Sequence, residues 1–425
     1  MQTNEQFLQA IVEEPDNDLP RLIYADWLDE QGDPRGEFIR VQCELAQLDL
    51  YDPARKPLEE RQDTLFKKHK AKWIKDLKVA AIRNYEFRRG FVEQVTLNAK
   101  NHLQNAEALL DQVPTIRGMK INDIKPVIDE LIESKWLERI ESLNLTAARM
   151  GTRRLKRLVR SKHLTNIREL DLTSNGIGMM GFKALMEADT LPSLRKLVLN
   201  NLETSTTEGL GEIAQGRLWS QLTGVELSQN DWEDTNFCEL AENWPRCGWK
   251  QFATTYNRFS HVGLNAFLAN GHADELERLS FLHCANLRDE AFTLLAQANL
   301  RNLQFLNLMG CEPSPLGLQD LMNSKSLANL RHLGVASESA TSEIFAVMAD
   351  ATGMPALETL VLQLDHANVS DLDPLRKSGN LHRLKTLAVS EYFCGPEVFS
   401  ELKKLLPETN VVDGTHLMYS HYNLI

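Results

Sequence analysis

Along most of the chain the apolar positions follow one template, apolar-x-x-apolar-x-apolar-x-x-polar, complete in Leu303, Leu306, Leu308 and Cys311. The same spacing recurs as Ile167/Leu170/Leu172/Asn175, Leu222/Val225/Leu227/Asn230 and Leu276/Leu279/Phe281/Cys284, and again, without its closing asparagine or cysteine, from Leu330, Leu357 and Leu384. The first apolar residue of each copy falls at Val92, Ile116, Ile140, Ile167, Leu194, Leu222, Trp249, Leu276, Leu303, Leu330, Leu357 and Leu384; the steps are 24, 24, 27, 27 and 28, then 27 throughout. A fixed period of this kind marks a stacked repeat, because one strand-and-helix unit cannot bury its own apolar face. Template positions four and six share one side of a strand and point into the core, whereas three, five and seven point out. Helical patterns fill the gaps, as at Gly181, Gly263 and Gly317, each fourteen residues after its template start.

Strand, helix and strand running in one direction predict a parallel sheet with right-handed crossovers. Strands stack at about 4.8 Å and packed helices need about 8–10 Å, so the array is expected to bend with the sheet on its concave side. The predicted fold class is therefore α/β: a curved solenoid with a parallel concave sheet and convex helices, preceded by a small all-α domain. Its eleven steps give an inner arc of roughly 50 Å. The template is similar to leucine-rich repeats of the ribonuclease-inhibitor-like class over about 92–405, a resemblance that implies a binding scaffold. Ala148, Glu338, Asp365 and Tyr392 depart from the expected asparagine or cysteine, and Trp249/Phe252/Thr254 makes an irregular strand. Asn175, Asn230 and Asn257 are expected to bond backbone groups where the chain leaves the sheet, with Cys284 and Cys311 taking that place in the next two units.

Before the repeats, short helices are expected over 5–13, 22–30 and 37–48, separated by Pro15 to Pro20 and by Gly32 to Gly36, with a longer one from Pro57 to Lys78. The run from Pro20 to Gln42, with Tyr24, Asp26, Trp27, Asp33, Arg35 and Phe38 in place, and the later Phe87-Arg-Arg-Gly-Phe-Val92 resemble the bacterial repeat-companion domain, a helical module found ahead of repeat arrays. That resemblance implies no catalytic role for Asp26, Trp27, Asp33 or Arg35. The expected organisation is a helical module over 1–90 that caps the stack, a solenoid of about twelve units over 91–405, and a closing segment over 406–425 that includes Val411-Val412 and the tail from Leu417 to Ile425.

Composition adds little to this picture and removes several readings. Hydrophobic residues make up 43% and charged residues 25% of 425, ordinary for a globular chain. No basic leader or membrane-length apolar run is found, so a cytoplasmic protein is expected. Six scattered cysteines without a Cys-x-x-Cys pair read as buried thiols rather than a zinc site or a disulfide framework. The net charge of -12 disfavours general nucleic-acid binding; two basic runs, 67–89 and 149–168, keep it as a weaker alternative. No phosphate loop, nucleophile elbow or His-Glu-x-x-His occurs, and neither an enzyme nor a cofactor or metal is expected.

The outward strand positions are polar early (Gln94, Thr96, Asn98, Lys120) and charged in the middle (Glu169, Asp171, Lys196, Glu226). Later the face becomes apolar: Tyr256, Leu282, His283, Phe305, Met309 and His332 fall on adjacent strands and form the candidate partner-binding patch. The function expected is a noncatalytic scaffold or receptor gripping a protein partner. The alternative is a ribonuclease-inhibitor-like regulator that sequesters an enzyme in a bacterial stress or defence pathway.

Overall fold

The structure, a computed structural model, describes residues 3–49, 52–203, 210–245, 248–337, 341–378 and 380–415. Glu338, Cys247 and the tail from Leu417 lie outside these. The chain divides into two compact units, Met1–Asn175 with Asp189–Leu194, and Gly176–Ala188 with Arg195–Ile425. The division falls inside the repeats and not at the junction near residue 90. Polar and apolar ties hold the N-terminal helices to the first strands.

The first unit opens with four helices: α1 (Asn4–Glu13), α2 (Leu19–Glu30), α3 (Arg35–Gln47) and α4 (Arg55–Trp73). Their apolar stripes make two small cores, Phe7, Ile11, Tyr24, Leu28 and Ile39 in one and Phe38, Leu65 and Trp73 in the other. Strands β1 (Tyr85–Arg88), β2 (Phe91–Asn98), β3 (Gly118–Asn122), β4 (Ser142–Asn144) and β5 (Glu169–Asp171) follow. Pairing is parallel from β2 to β5, but β1 runs antiparallel to β2. The module expected to be all-helical therefore ends in a strand. Arg89 (φ 46°) and Gly90 (φ 91°) turn the chain between β1 and β2, the pair of positive φ values that a tight hairpin needs.

That hairpin is where the two motif segments meet. The Gly90 N–H donates to Gln42 Oε1 at 2.6 Å, Arg35 Nη2 donates to the Gly90 carbonyl at 2.8 Å, and a Cβ on Gly90 would collide with Ile39. Arg21 on α2 reaches Glu93 on β2 at 2.6 Å, with the two side chains 1% and 3% exposed. Burial pushes the Arg21 guanidinium down and the Glu93 carboxyl up from their ordinary values.

The second unit carries β6 (Lys196–Val198), β7 (Gly224–Glu226), β8 (Gln251–Thr255), β9 (Arg278–Leu282), β10 (Phe305–Leu308), β11 (His332–Ser337), β12 (Thr359–Leu364), β13 (Thr386–Val389) and β14 (Asn410–Asp413), paired in parallel in that order. It is an α/β solenoid. From β3 to β13 each strand starts at the third template position, two residues after the repeat's first apolar residue, as the pattern predicts. Positions four and six are buried throughout, for example Leu279, Phe281, Leu306 and Leu308 at 0%. The Val411-Val412 segment is a further parallel strand, and the Trp249 copy keeps its strand with an aromatic core of Trp219, Trp244, Trp249 and Phe252.

Eight successive coils, from the Ile116 copy to the Leu303 copy, leave the sheet through the same backbone conformation. Template position eight is left-handed at Asp123, Ala147, Ser174, Asn201, Gln229, Tyr256, His283 and Gly310, with φ from 52° to 71°. A side chain held there costs about 1–2 kcal/mol. An inter-coil hydrogen bond offsets it: the N–H groups of Ala147, Asn201, Gln229, Tyr256 and His283 donate to carbonyls of Thr173, Ser228, Thr255, Leu282 and Met309 in the following coil. At position nine Asn257 donates from Nδ2 to the Leu227 carbonyl at 2.7 Å, and its Oδ1 accepts from the N–H groups of Asn230 and Trp232 at 3.1 Å each. Asn175 and Asn230 bond in the same way. Cys284 and Cys311 replace the amide donor, and the Cys311 thiol donates to the Phe281 carbonyl at 2.9 Å. Burial pushes the Cys284 thiol up to about 12.

Candidate protein-binding face

The strand face turned away from the second unit's helices is laid out in rows by the parallel register. Position three runs Gln251, Arg278, Phe305, His332, Thr359, and position five runs Ala253, Ser280, Asn307, Gly334, Val361, Ala388. Position seven includes Leu282, Met309 and Ala336. Small residues in the middle row make a floor, with larger side chains along both margins. Ala253 and Ser280 are each 1% exposed and Asn307 4%. Asn307 accepts from the Met309 N–H at 3.0 Å and leans over Gly334, where a Cβ would lie 2.9 Å from its Oδ1.

The six residues expected to form one exposed patch are distributed over three places. Phe305 and His332 are half-buried on the first margin, with ring centroids 6.1 Å apart. Tyr256 and His283 occupy the left-handed turn position in successive coils and stack at 4.8 Å with an 11° interplanar angle, Tyr256 remaining 48% exposed. Leu282 and Met309 are not exposed: at 3% and 4% they form an apolar cluster with Ala336, against which Val361 and Phe393 pack. The alternation gives the direction of these two side chains correctly but not their depth, since neighbours of similar size close over them. They support the face and do not present it.

Two neighbours in the same rows carry the polar chemistry. The Arg278 guanidinium lies 4.1 Å from the Phe305 ring centroid, and burial pushes its pKa down. Among the described residues no carboxylate stands within ion-pair distance of it. Ser280, beside it on β9, has a buried Oγ with no hydrogen-bond partner among the described residues. Both lie 27 residues before Phe305 and Asn307, so the repeat register would have found them. Arg278 thus stacks its cation on an aromatic ring, with the Ser280 hydroxyl buried beside it.

No family model and no curated protein matches the chain. Among solved structures it is similar to a chain of the crystal structure of the Rad7 and Elc1 complex in yeast, at 14% identity and a TM-score of 0.49, covering 92% of this chain and 94% of that one.

Elsewhere the basic runs are engaged in part. Lys72 pairs with Asp33, Arg88 with Glu86 and Arg89 with Asp18; Arg157 pairs with Asp129 and Arg168 with Glu141. Lys70 lies over the rings of Phe66 and Tyr85. Among the described residues no helix is long and apolar enough to cross a membrane, and no group of three or more His, Cys, Asp or Glu side chains could hold a metal ion.

Proposed function

We propose that the chain is a noncatalytic protein-binding scaffold that grips an acidic segment of a protein partner on the outward face of β8–β11. The observation that carries this reading is the Arg278 guanidinium, stacked on Phe305 and with no carboxylate within ion-pair distance among the described residues. A partner carboxylate would satisfy the cation in a charge-assisted bond, and Tyr256 supplies aromatic contact area. In this reading the helices before residue 90 are the repeat-companion module their motif resembles, and they close the apolar end of the stack.

The test is affinity capture from the organism that makes the protein, comparing wild type with Arg278→Gln, Phe305→Ser and Tyr256→Ser. A specific protein retained by wild type, lost from all three variants and displaced by a glutamate-rich peptide supports the assignment. Capture unchanged by all three would remove it. If the captured partner is an enzyme, its rate with and without the chain shows whether binding also inhibits.

A further inference from the structure

A second unsatisfied cation lies far from this face in sequence, within the first unit. A cavity of about 580 Å³ opens between the N-terminal helices and the first coils, with Tyr24, Trp27, Trp73, Phe91 and Arg35 in its wall. Volumes of about 300–1,000 Å³ are those of small-molecule sites. Arg35 begins α3 and is half-buried, with its guanidinium 5.2–5.6 Å from the ring centroids of Phe91, Trp73 and Phe87. Its one side-chain hydrogen bond among the described residues goes to the Gly90 carbonyl, and no carboxylate stands within ion-pair distance.

The other charges of the cavity wall do not supply that counter-ion. Asp33 acts on Arg35 only through space and is bonded instead to Lys72 at 2.8 Å and to the Arg35 backbone N–H at 3.0 Å, while Lys75 and Asp76 add one charge of each sign to the wall. One positive charge is left over. It sits at the start of a 13-residue helix, where the backbone already favours an anion over a cation. Burial without an ion pair pushes the Arg35 guanidinium down to about 10. Five guanidinium N–H donors with few acceptors, beside flat apolar walls, define the complementary ligand.

We propose that this cavity binds a small organic monoanion, a carboxylate on a flat apolar body, with the carboxylate on Arg35 and the body against Trp27, Tyr24 and Trp73. Every residue of the site lies in the first unit, and none belongs to the β8–β11 face.

The test uses 1-naphthoate and its neutral isostere 1-naphthamide on the full chain, followed by calorimetry and tryptophan quenching. Naphthoate is expected to bind at least about tenfold more tightly than the amide, the discrimination of a hydrogen bond to a charged group. Arg35→Gln should abolish that preference while leaving amide binding in place. Because Arg35 also packs against three rings, two further variants guard against a folding defect. Lys72→Glu places a negative charge at an exposed position of the wall, and Val113→Trp fills the cavity; each should weaken naphthoate at least about tenfold with the melting temperature retained. Equal affinity for acid and amide, no binding of either at millimolar concentration, or full naphthoate affinity in Lys72→Glu and Val113→Trp would overturn the proposal.

Discussion

Replacing Glu93 by glutamine tests how the N-terminal helices are joined to the first coils. The substituted side chain would keep an acceptor for Arg21 Nη2, which now lies 2.6 Å from Glu93 Oε1, but would remove the charge. Arg21 is 1% exposed; it also donates to the Pro15 and Arg89 carbonyls at 2.8 and 3.4 Å, and its Nε has no partner among the described residues. A cation left uncompensated at that depth costs about 3–5 kcal/mol, and the retained hydrogen bond places Glu93→Gln near the lower end. The shifts of the two groups agree that desolvation opposes both charges, so the pair specifies the joint more than it stabilises it. The double variant Arg21→Met/Glu93→Leu should therefore recover most of the loss. Urea denaturation read by circular dichroism, with amide exchange at β2 and β3 reporting on the first unit, measures all of this. A Glu93→Gln cost below about 1 kcal/mol, the range of a surface ion pair, would refute the reasoning.

Asn257→Ala should cost about 2–4 kcal/mol, since it leaves the buried N–H groups of Asn230 and Trp232 and the Leu227 carbonyl without partners; Asn257→Cys should cost less in the same urea titration, because Cys284 and Cys311 serve the next two coils. Ala147→Gly relieves a left-handed residue at φ 54° on an exposed turn and should raise stability by up to about 1 kcal/mol, measured as a shift of the denaturation midpoint; a lower midpoint would count against the turn assignment. Cys43, Cys284, Cys311 and Cys394 are buried, and burial holds their thiols at about 12, about 12, well above 9.0 and about 11. At pH 8 these four should resist a disulfide reagent until denaturant is added, and rapid labelling of any of them in the native protein would contradict their placement.

The solenoid was legible because strand direction and burial are both written in the 27-residue spacing of Leu276, Leu303 and Leu330. Asn257 and its counterparts were legible for a similar reason: few side chains can both donate to and accept from backbone at a turn. The left-handed position before them was not. Ala147, Asn201, Gln229, Tyr256 and His283 share no side-chain chemistry, and their φ is imposed by a backbone bond to the next coil. Strand β1 is not marked by the pattern because Tyr85-Glu-Phe-Arg is a four-residue alternation directly after a helical stretch. At the candidate face the sequence placed Phe305 and His332 correctly in one row, yet the burial of Leu282 and Met309 depends on Ala336, Val361 and Phe393, which periodicity does not weigh. The lack of a carboxylate beside Arg278 and Arg35 among the described residues is equally a property of what does not lie nearby, and no local motif records it.

Photocrosslinking in the producing cells tests the central claim most directly. A photoreactive phenylalanine analogue would replace Tyr256, Phe305 or, as a control on the helix Pro315–Met322, the 66% exposed Leu316. The binding-scaffold reading predicts one discrete protein adduct shared by positions 256 and 305, abolished by Arg278→Gln and absent at 316. No adduct at either strand-side position, or the same adduct at all three, would contradict it.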